Sequence, residues 1–273
     1  MLKIRSIILF FFFVLILSFC TVNLKKSPRR AIKSHLVLEI QITNGGVEKA
    51  CFSHLDSTVY ILTKNYKILI YHNSEYISEL GGKGLGKYNF SNLSDITLSL
   101  EGELLTLDAF DRNIRKFDKN GKYISEISLK SMDTPSKFDM TNTGGICLFD
   151  KGLRQFKIIN TVLMDGTFEF GKLISGNVDF LRYNSDYISA YDSIKNITYH
   201  FNAMGFLIEK IEERVEFDRF GNKFILNHNV IKCEDKLIYA SVNDVKYYTV
   251  ANGFLIVCED DFIKILRVVY EFY

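Results

Sequence analysis

Beyond an apolar N-terminal run, hydrophobic and polar residues alternate with a period of two rather than 3.6. Ile96, Leu98 and Leu100 interleave with Thr97 and Ser99, which predicts a strand with one buried face. No long segment past the N-terminus carries a helical stripe. The alternation comes in short stretches that recur. Thr58–Lys64, Gly102–Asp108, Gly144–Asp150 and Asp186–Asp192 are seven-residue windows whose starts lie 44, 42 and 42 positions apart. Each opens on a turn-like residue, runs through an apolar centre and ends on a charge. After each window a short polar gap leads into a second β-rich stretch, such as Lys67–His72, Asn113–Phe117 and Lys195–Phe201. These lead into the turns Asn73-Ser74, Asp118–Gly121 and Asn202–Gly205. Gly121 and Gly205 supply the left-handed backbone that hairpin turns require. Tyr76–Leu80 (YISEL) returns as Tyr123–Ile127 (YISEI), 47 positions later.

Four short strands in a unit of about 42 residues predict a β-propeller. The expected fold is all-β, with four-stranded antiparallel blades over residues 34–273. Dividing that span by the repeat gives roughly 5.7 blades, so six are expected and five are the alternative. A β-sandwich would not repeat in sequence, and a β-solenoid would repeat at a shorter period. The strand His35–Ile42 is expected to join Phe254–Cys258 and Phe262–Phe272 in a shared last blade, which closes the ring and removes exposed sheet edges.

The second unit carries a family likeness. Gly81-Gly82-Lys83-Gly84-Leu85-Gly86 and Phe90 precede the strand Asp95–Leu100. Gly102, Asp108, Asn113, Ile114, Phe117, Asp118 and Gly121 follow at the spacing of an NHL repeat, which this unit resembles over about 45 residues. Leu93 stands where that family usually has proline, and residues 213–273 are irregular. The resemblance implies a six-bladed propeller of the kind common among bacterial secreted and lipid-anchored proteins. It transfers no activity, because propellers host many.

The chain of 273 residues is 47% hydrophobic, with 23 Phe and 15 Tyr, which excludes disorder as its main state. Its net charge of +2 hides a split. Residues 1–33 hold seven Lys/Arg and no acid, whereas the remainder is net −5. A mildly acidic body argues against nucleic acid as partner.

The N-terminus reads as a targeting segment. Lys3 and Arg5 precede the apolar run Ile7–Leu17, which is short for a membrane span. Leu17-Ser18-Phe19-Cys20 resembles a bacterial lipobox, with Phe19 in place of the usual small residue. The expectation is a signal peptide over 1–19, a lipidated Cys20 and a basic tether over 20–33. An ordinary cleaved signal and an uncleaved anchor are the alternatives. Lys25, Lys26, Arg29, Arg30 and Lys33 suit either anionic headgroups or a solvated linker.

Known chemical motifs do not emerge. Gly81–Tyr88 misses the phosphate-binding loop because Tyr88 replaces the magnesium-binding hydroxyl and a strand, not a helix, follows. His35, His54, His72, His200 and His228 are scattered, without metal-ligand spacing. His72 and His200 fall near strand ends and are expected to be solvated. No metal or cofactor is expected. Cys147 sits in an apolar slot and reads as a core thiol; Cys51 and Cys258 lie in neighbouring blades, so a closing disulfide is one option. Asp108, Asp150 and Asp192, with Lys64, fall where second strands turn into third, on one rim, with Glu259–Asp261 nearby. They are candidates for a polar binding rim; the alternative is that the aspartates cap turns.

These observations predict a non-enzymatic scaffold or binding module. It would be a lipoprotein of the bacterial cell envelope, periplasmic or surface-exposed, anchored to a membrane and recognising a protein, peptide or glycan. A secreted glycan hydrolase or lyase, with convergent carboxylates or histidines in a channel, is the alternative.

Overall fold

A computed structural model describes residues 29–42, 46–159, 167–172, 177–184 and 187–272. The signal segment, Cys20 and the first part of the tether lie outside the described residues. The rest forms six four-stranded antiparallel sheets arranged as a ring, a six-bladed β-propeller. The strand β1 (Arg29–Gln41) comes first and belongs to the last blade. Blade 1 is β2 (Val47–Ser53), β3 (Thr58–Thr63), β4 (Lys67–His72) and β5 (Glu75–Gly81). Blade 2 is β6 (Leu93–Leu98), β7 (Leu104–Asp108), β8 (Asn113–Phe117) and β9 (Tyr123–Ser128). Blade 3 is β10 (Pro135–Met140), β11 (Ile146–Asp150), β12 (Gln155–Ile159) and β13 (Thr167–Phe170). Blade 4 is β14 (Phe180–Asn184), β15 (Tyr187–Asp192), β16 (Ile197–Asn202) and β17 (Leu207–Ile211). Blade 5 is β18 (Val215–Phe217), β19 (Lys223–Asn227), β20 (Val230–Cys233) and β21 (Lys236–Ala240). Blade 6 is β22 (Tyr247–Ala251), β23 (Phe254–Cys258), β24 (Phe262–Phe272) and, outermost, β1.

The windows that repeat in sequence are the second strands. Every residue of β3, β7 and β11 is buried, because neighbouring blades cover both faces of each sheet. The repeated Tyr-Ile-Ser-Glu segment is the outer strand, β5 and β9, largely exposed. Five hydrophobic clusters among the described residues lie between blades. One joins blades 1 and 2 through Tyr60, Ile68, Phe90 and Phe117, and another joins blades 3 and 4 through Phe149, Phe156, Leu181 and Phe201. Blades 4 and 5 meet differently. His200 is stacked between Tyr187 and Phe217, with ring centroids 4.9 and 3.9 Å away. Thr198 donates to Glu213 O and accepts from Val215 N. The imidazole expected in solvent is therefore buried, and burial lowers its pKa below the usual 6.5.

The ring closes as expected, but the closing strand starts earlier. β1 pairs with β24 from Arg29↔Phe272 to Gln41↔Phe262, so the sheet begins five residues before the boundary read at residue 34. The tether reading fails for residues 29–33. Ala31 is fully buried, the Arg29 guanidinium lies 4.5 Å from the Phe272 ring centroid, and Arg30 pairs with Glu234 and Asp235. Arg29 and Arg30, read as suiting either headgroups or a solvated linker, are thus engaged by the propeller itself.

Candidate functional site

Each blade turns its first strand toward the ring axis. In blades 1, 2 and 3 that strand carries a bulge at the same place, between Val47 and Lys49, Leu93 and Asp95, and Pro135 and Lys137. A bulge turns the following side chains out of plain alternation. Here it accompanies charged residues in a buried layer. Lys49 Nζ donates to Asp95 Oδ1 at 2.7 Å, and both are buried. Asp95 Oδ2 accepts from Phe138 N of the next blade at 2.9 Å. Asp139 accepts from Thr97 Oγ1 at 2.5 Å and from Tyr183 N, again one blade on, at 2.9 Å. Glu216 accepts from Val250 N at 2.9 Å and from Arg214 at 3.1 Å. Arg182 donates to Asp139 at 3.4 Å and to Thr249 Oγ1 at 2.6 Å. Lys49, Asp95, Asp139, Arg182, Glu216 and Thr249 thus give one residue per blade, and acids meet bases.

Burial alone would push the Lys49 ammonium down, but Asp95, with Cys51 and Asp139, more than offsets it and its pKa is raised. Arg182 is also raised: Asp139, with Tyr247 and Glu216, outweighs its desolvation. Burial lifts the Glu216 carboxyl above its ordinary value, against the pull of Arg214 and Arg182. Burial pushes the Cys51 thiol up to about 11, against Lys49 and Arg182, so it stays protonated at neutral pH.

Above this layer the axis widens into a cavity of about 350 Å³, at the end of the ring where first strands turn into second. All six blades contribute. Ser53, Ser99, Asn142, Asn184, Arg219 and Asn252 bring polar atoms, and Phe52, Leu55, Leu98, Leu100, Met140 and Ile256 form apolar wall. Arg182, Asp139, Thr97 and Cys51 of the buried layer line it as well. Gly102 takes φ +82°, and a Cβ there would lie 2.8 Å from Ser53 Oγ, so glycine lets the blade 2 turn close over blade 1.

The rim expected from sequence lies at the other end of the ring. Asp108, Asp150 and Asp192 do share one position, at the end of the second strand, but all three are fully buried. Asp108 accepts from the N–H groups of Ser91, Asn92, Phe110 and Asp111. Asp150 accepts from Asp133, Thr134, Gly152 and Leu153. Asp192 accepts from Ile194 and Lys195. They cap turns: both oxygens of Asp108 and Asp150 accept from main-chain N–H groups, and Asp192 accepts through Oδ1 while its Oδ2 is buried without a partner. Lys64 is exposed but offset: blade 1 has a shorter turn, and by register Thr63, paired with Val47, occupies the place of Asp108, paired with Leu93. Glu259 is buried on that end beneath Tyr239, Ser241, Asn243 and Lys264, while Asp260 and Asp261 are exposed.

The glycine-rich segment after β5 is an inter-blade loop. Its carbonyls at Gly86 and Asn89 accept from the Arg115 guanidinium. Cys51, Cys147, Cys233 and Cys258 are buried free thiols, so the closing disulfide does not form. Among the described residues, no group of three or more His, Cys, Asp or Glu side chains comes together as a metal site.

Sequence reasoning missed the axial layer. The signal was present: Lys49, Asp95, Asp139, Arg182 and Glu216 are charged residues set inside strand-like runs at near-blade spacing.

No family model and no curated protein matches the chain in sequence. Solved structures match in fold. The β-propeller domain of Cps50 (Swd1) from Myceliophteria thermophila superposes with a TM-score of 0.56 at 12% identity, over 86% of this chain and 100% of that one. A streptogramin B lyase superposes with a TM-score of 0.58 at 13% identity, over 86% of this chain and 98% of that one. The likeness is one of architecture and carries no activity to this chain.

Proposed function

We propose that the chain is a membrane-anchored, non-enzymatic binding module of the bacterial cell envelope, which takes its partner at the axial mouth. One observation carries the reading. The mouth draws side chains from all six blades over a floor whose charges are committed to one another. Such a floor is pre-organised, and a rigid concave surface of mixed polar and apolar lining suits recognition of a protein, peptide or glycan. The resemblance of blade 2 to NHL repeats supports the envelope setting. The anchor rests on the basic start, the apolar run and Cys20.

The alternative, a glycan hydrolase or lyase, asks for two convergent acid–base groups. Among the described residues the acid–base groups lining the mouth include His54, exposed on the blade 1 turn, and Asp139, already held by Thr97, Tyr183 and Arg182.

Two measurements test the proposal. Fatty-acid labelling should mark the wild-type chain and not Cys20→Ala; an unlabelled wild type removes the lipid anchor. A photo-crosslinking side chain at Leu100, on the mouth, should capture a discrete adduct in native membranes. The same group at Leu153, exposed on the opposite end, should not. Equal labelling from both positions rejects the mouth as the binding surface.

A further inference from the structure

We infer that the axial mouth selects a small organic carboxylate with an apolar body, the anion seated between Arg182 and Arg219. This rests on the binding-module reading and names the ligand chemistry of that same site. Arg182 is only 9% exposed and lines the cavity. Its two terminal nitrogens are anchored on Asp139 and Thr249, while its buried Nε has no partner. Ser53 Oγ, buried on the same cavity, is likewise without one. A buried donor left unmet is costly unless water or a ligand meets it. Arg219 stands above on the blade 5 turn, exposed, and forms no ion pair among the described residues; it rests on the Phe220 ring, 4.8 Å from its centroid.

The charge balance of the cavity is therefore positive. Asp139 is the lining carboxylate, and three donors already hold it. A planar carboxylate accepts well from guanidinium N–H groups, and the Arg182 Nε and the Arg219 fork are the donors left to meet it. The other wall decides the body of the ligand. Leu55 is 61% exposed and Leu100 is 54% exposed at the mouth. Covering them favours an aliphatic or aromatic body over a sugar. A cavity of about 350 Å³ admits a small molecule or the last residue of a peptide, not a folded segment.

The test titrates the full-length chain in detergent with four probes at low ionic strength. They are N-acetylphenylalanine, its neutral amide, glucuronate and glucose. The acid should bind at least about tenfold more tightly than its amide and than glucuronate. Binding should weaken as salt rises. Arg219→Gln, an exposed change that leaves the fold intact, should lose about tenfold for the acid and little for the amide. Equal affinity for acid and amide, indifference to Arg219→Gln, or no binding of any probe overturns the inference. Tighter binding of glucuronate than of N-acetylphenylalanine overturns the apolar body and points to an acidic glycan. A selective crosslink at Leu100 alongside any of these failures leaves the binding module standing without its carboxylate. Loss of that selectivity rejects the module itself.

Discussion

Asp108 and Asp150 show how one side chain fixes a blade entry. Each gathers four main-chain N–H groups, two from the turn that follows it and two from the loop that leads into its own blade. Replacing Asp150 by Ala orphans those donors together, and the expected loss is about 3 kcal/mol, read from urea unfolding. Probe binding at the mouth, on the other end of the ring, should not change. Two titrating groups set separate pH windows. Burial depresses the His200 pKa in the folded chain, so on acidification the unfolded chain takes up the proton first. Its contribution is full above about 6.5 and is lost as the pH falls from there toward the folded value. Glu259 is raised by burial but held down more strongly by Ser241, Tyr239, Asn243 and Lys264, leaving it at about 2. Its contribution is present above about 4.3 and is lost as the pH falls toward 2. Melting temperatures measured from pH 8 to pH 3 should show both declines. His200→Phe should flatten the upper one and Glu259→Gln the lower, and a His200→Phe profile matching wild type would remove His200 from the first.

At the scale of elements, second strands were the legible part. In β3, β7 and β11 every residue is buried, so an apolar run ending on a polar turn residue stands out, as in Ile146–Phe149 followed by Asp150. First strands were read only in part: the alternation of Ile96 and Leu98 with Thr97 marks β6, but the charges that such strands carry toward the axis have partners on other blades and so gave no signal of a layer. The bulges in them leave no mark on the sequence pattern. β1 was half legible. Leu38 and Ile40 alternate with Glu39 and Gln41, but Arg29–Lys33 looked like a tether because its contacts are long-range. Arg29 O accepts from Asn222 Nδ2 at 2.9 Å, and Arg30 reaches Glu234 at 2.7 Å. A chain begun at residue 34 should therefore melt several degrees below one begun at residue 29. The loss corresponds to roughly 2 kcal/mol from the hydrogen bond, the cation–π contact and the burial of Ala31. Equal melting of the two would mean that β1 closes the ring from Ser34 onward alone.

Over the whole molecule, the axial layer couples blades that are far apart in the chain. Lys49 ties blade 1 to blade 2, Asp95 ties 2 to 3, Asp139 ties 3 to 4, and Glu216 ties 5 to 6. Arg182 crosses from blade 4 to blade 6 through Thr249. The layer thus braces the inner circumference, as β1 braces the outer, and it supplies the floor of the mouth. Its charges must be matched, because an ion pair out of water is held only by its partner. Lys49→Met tests this at the site with the simplest pairing. The substitution keeps an apolar stem of similar length but strands Asp95, whose other oxygen is committed to Phe138 N. Breaking a buried pair in this way costs about 3–5 kcal/mol. Adding Asp95→Asn should return part of that loss: the amide removes the stranded charge and its carbonyl oxygen still accepts from Phe138 N, while its NH2 replaces the oxygen that accepted from Ile96 N. The pair of variants separates charge from packing. If Lys49→Met alone is severe and the double variant moves back toward wild type in chemical denaturation, the layer works by charge compensation. If both are equally destabilised, the Lys49 stem and its contacts with the strands around it matter more than its ammonium group.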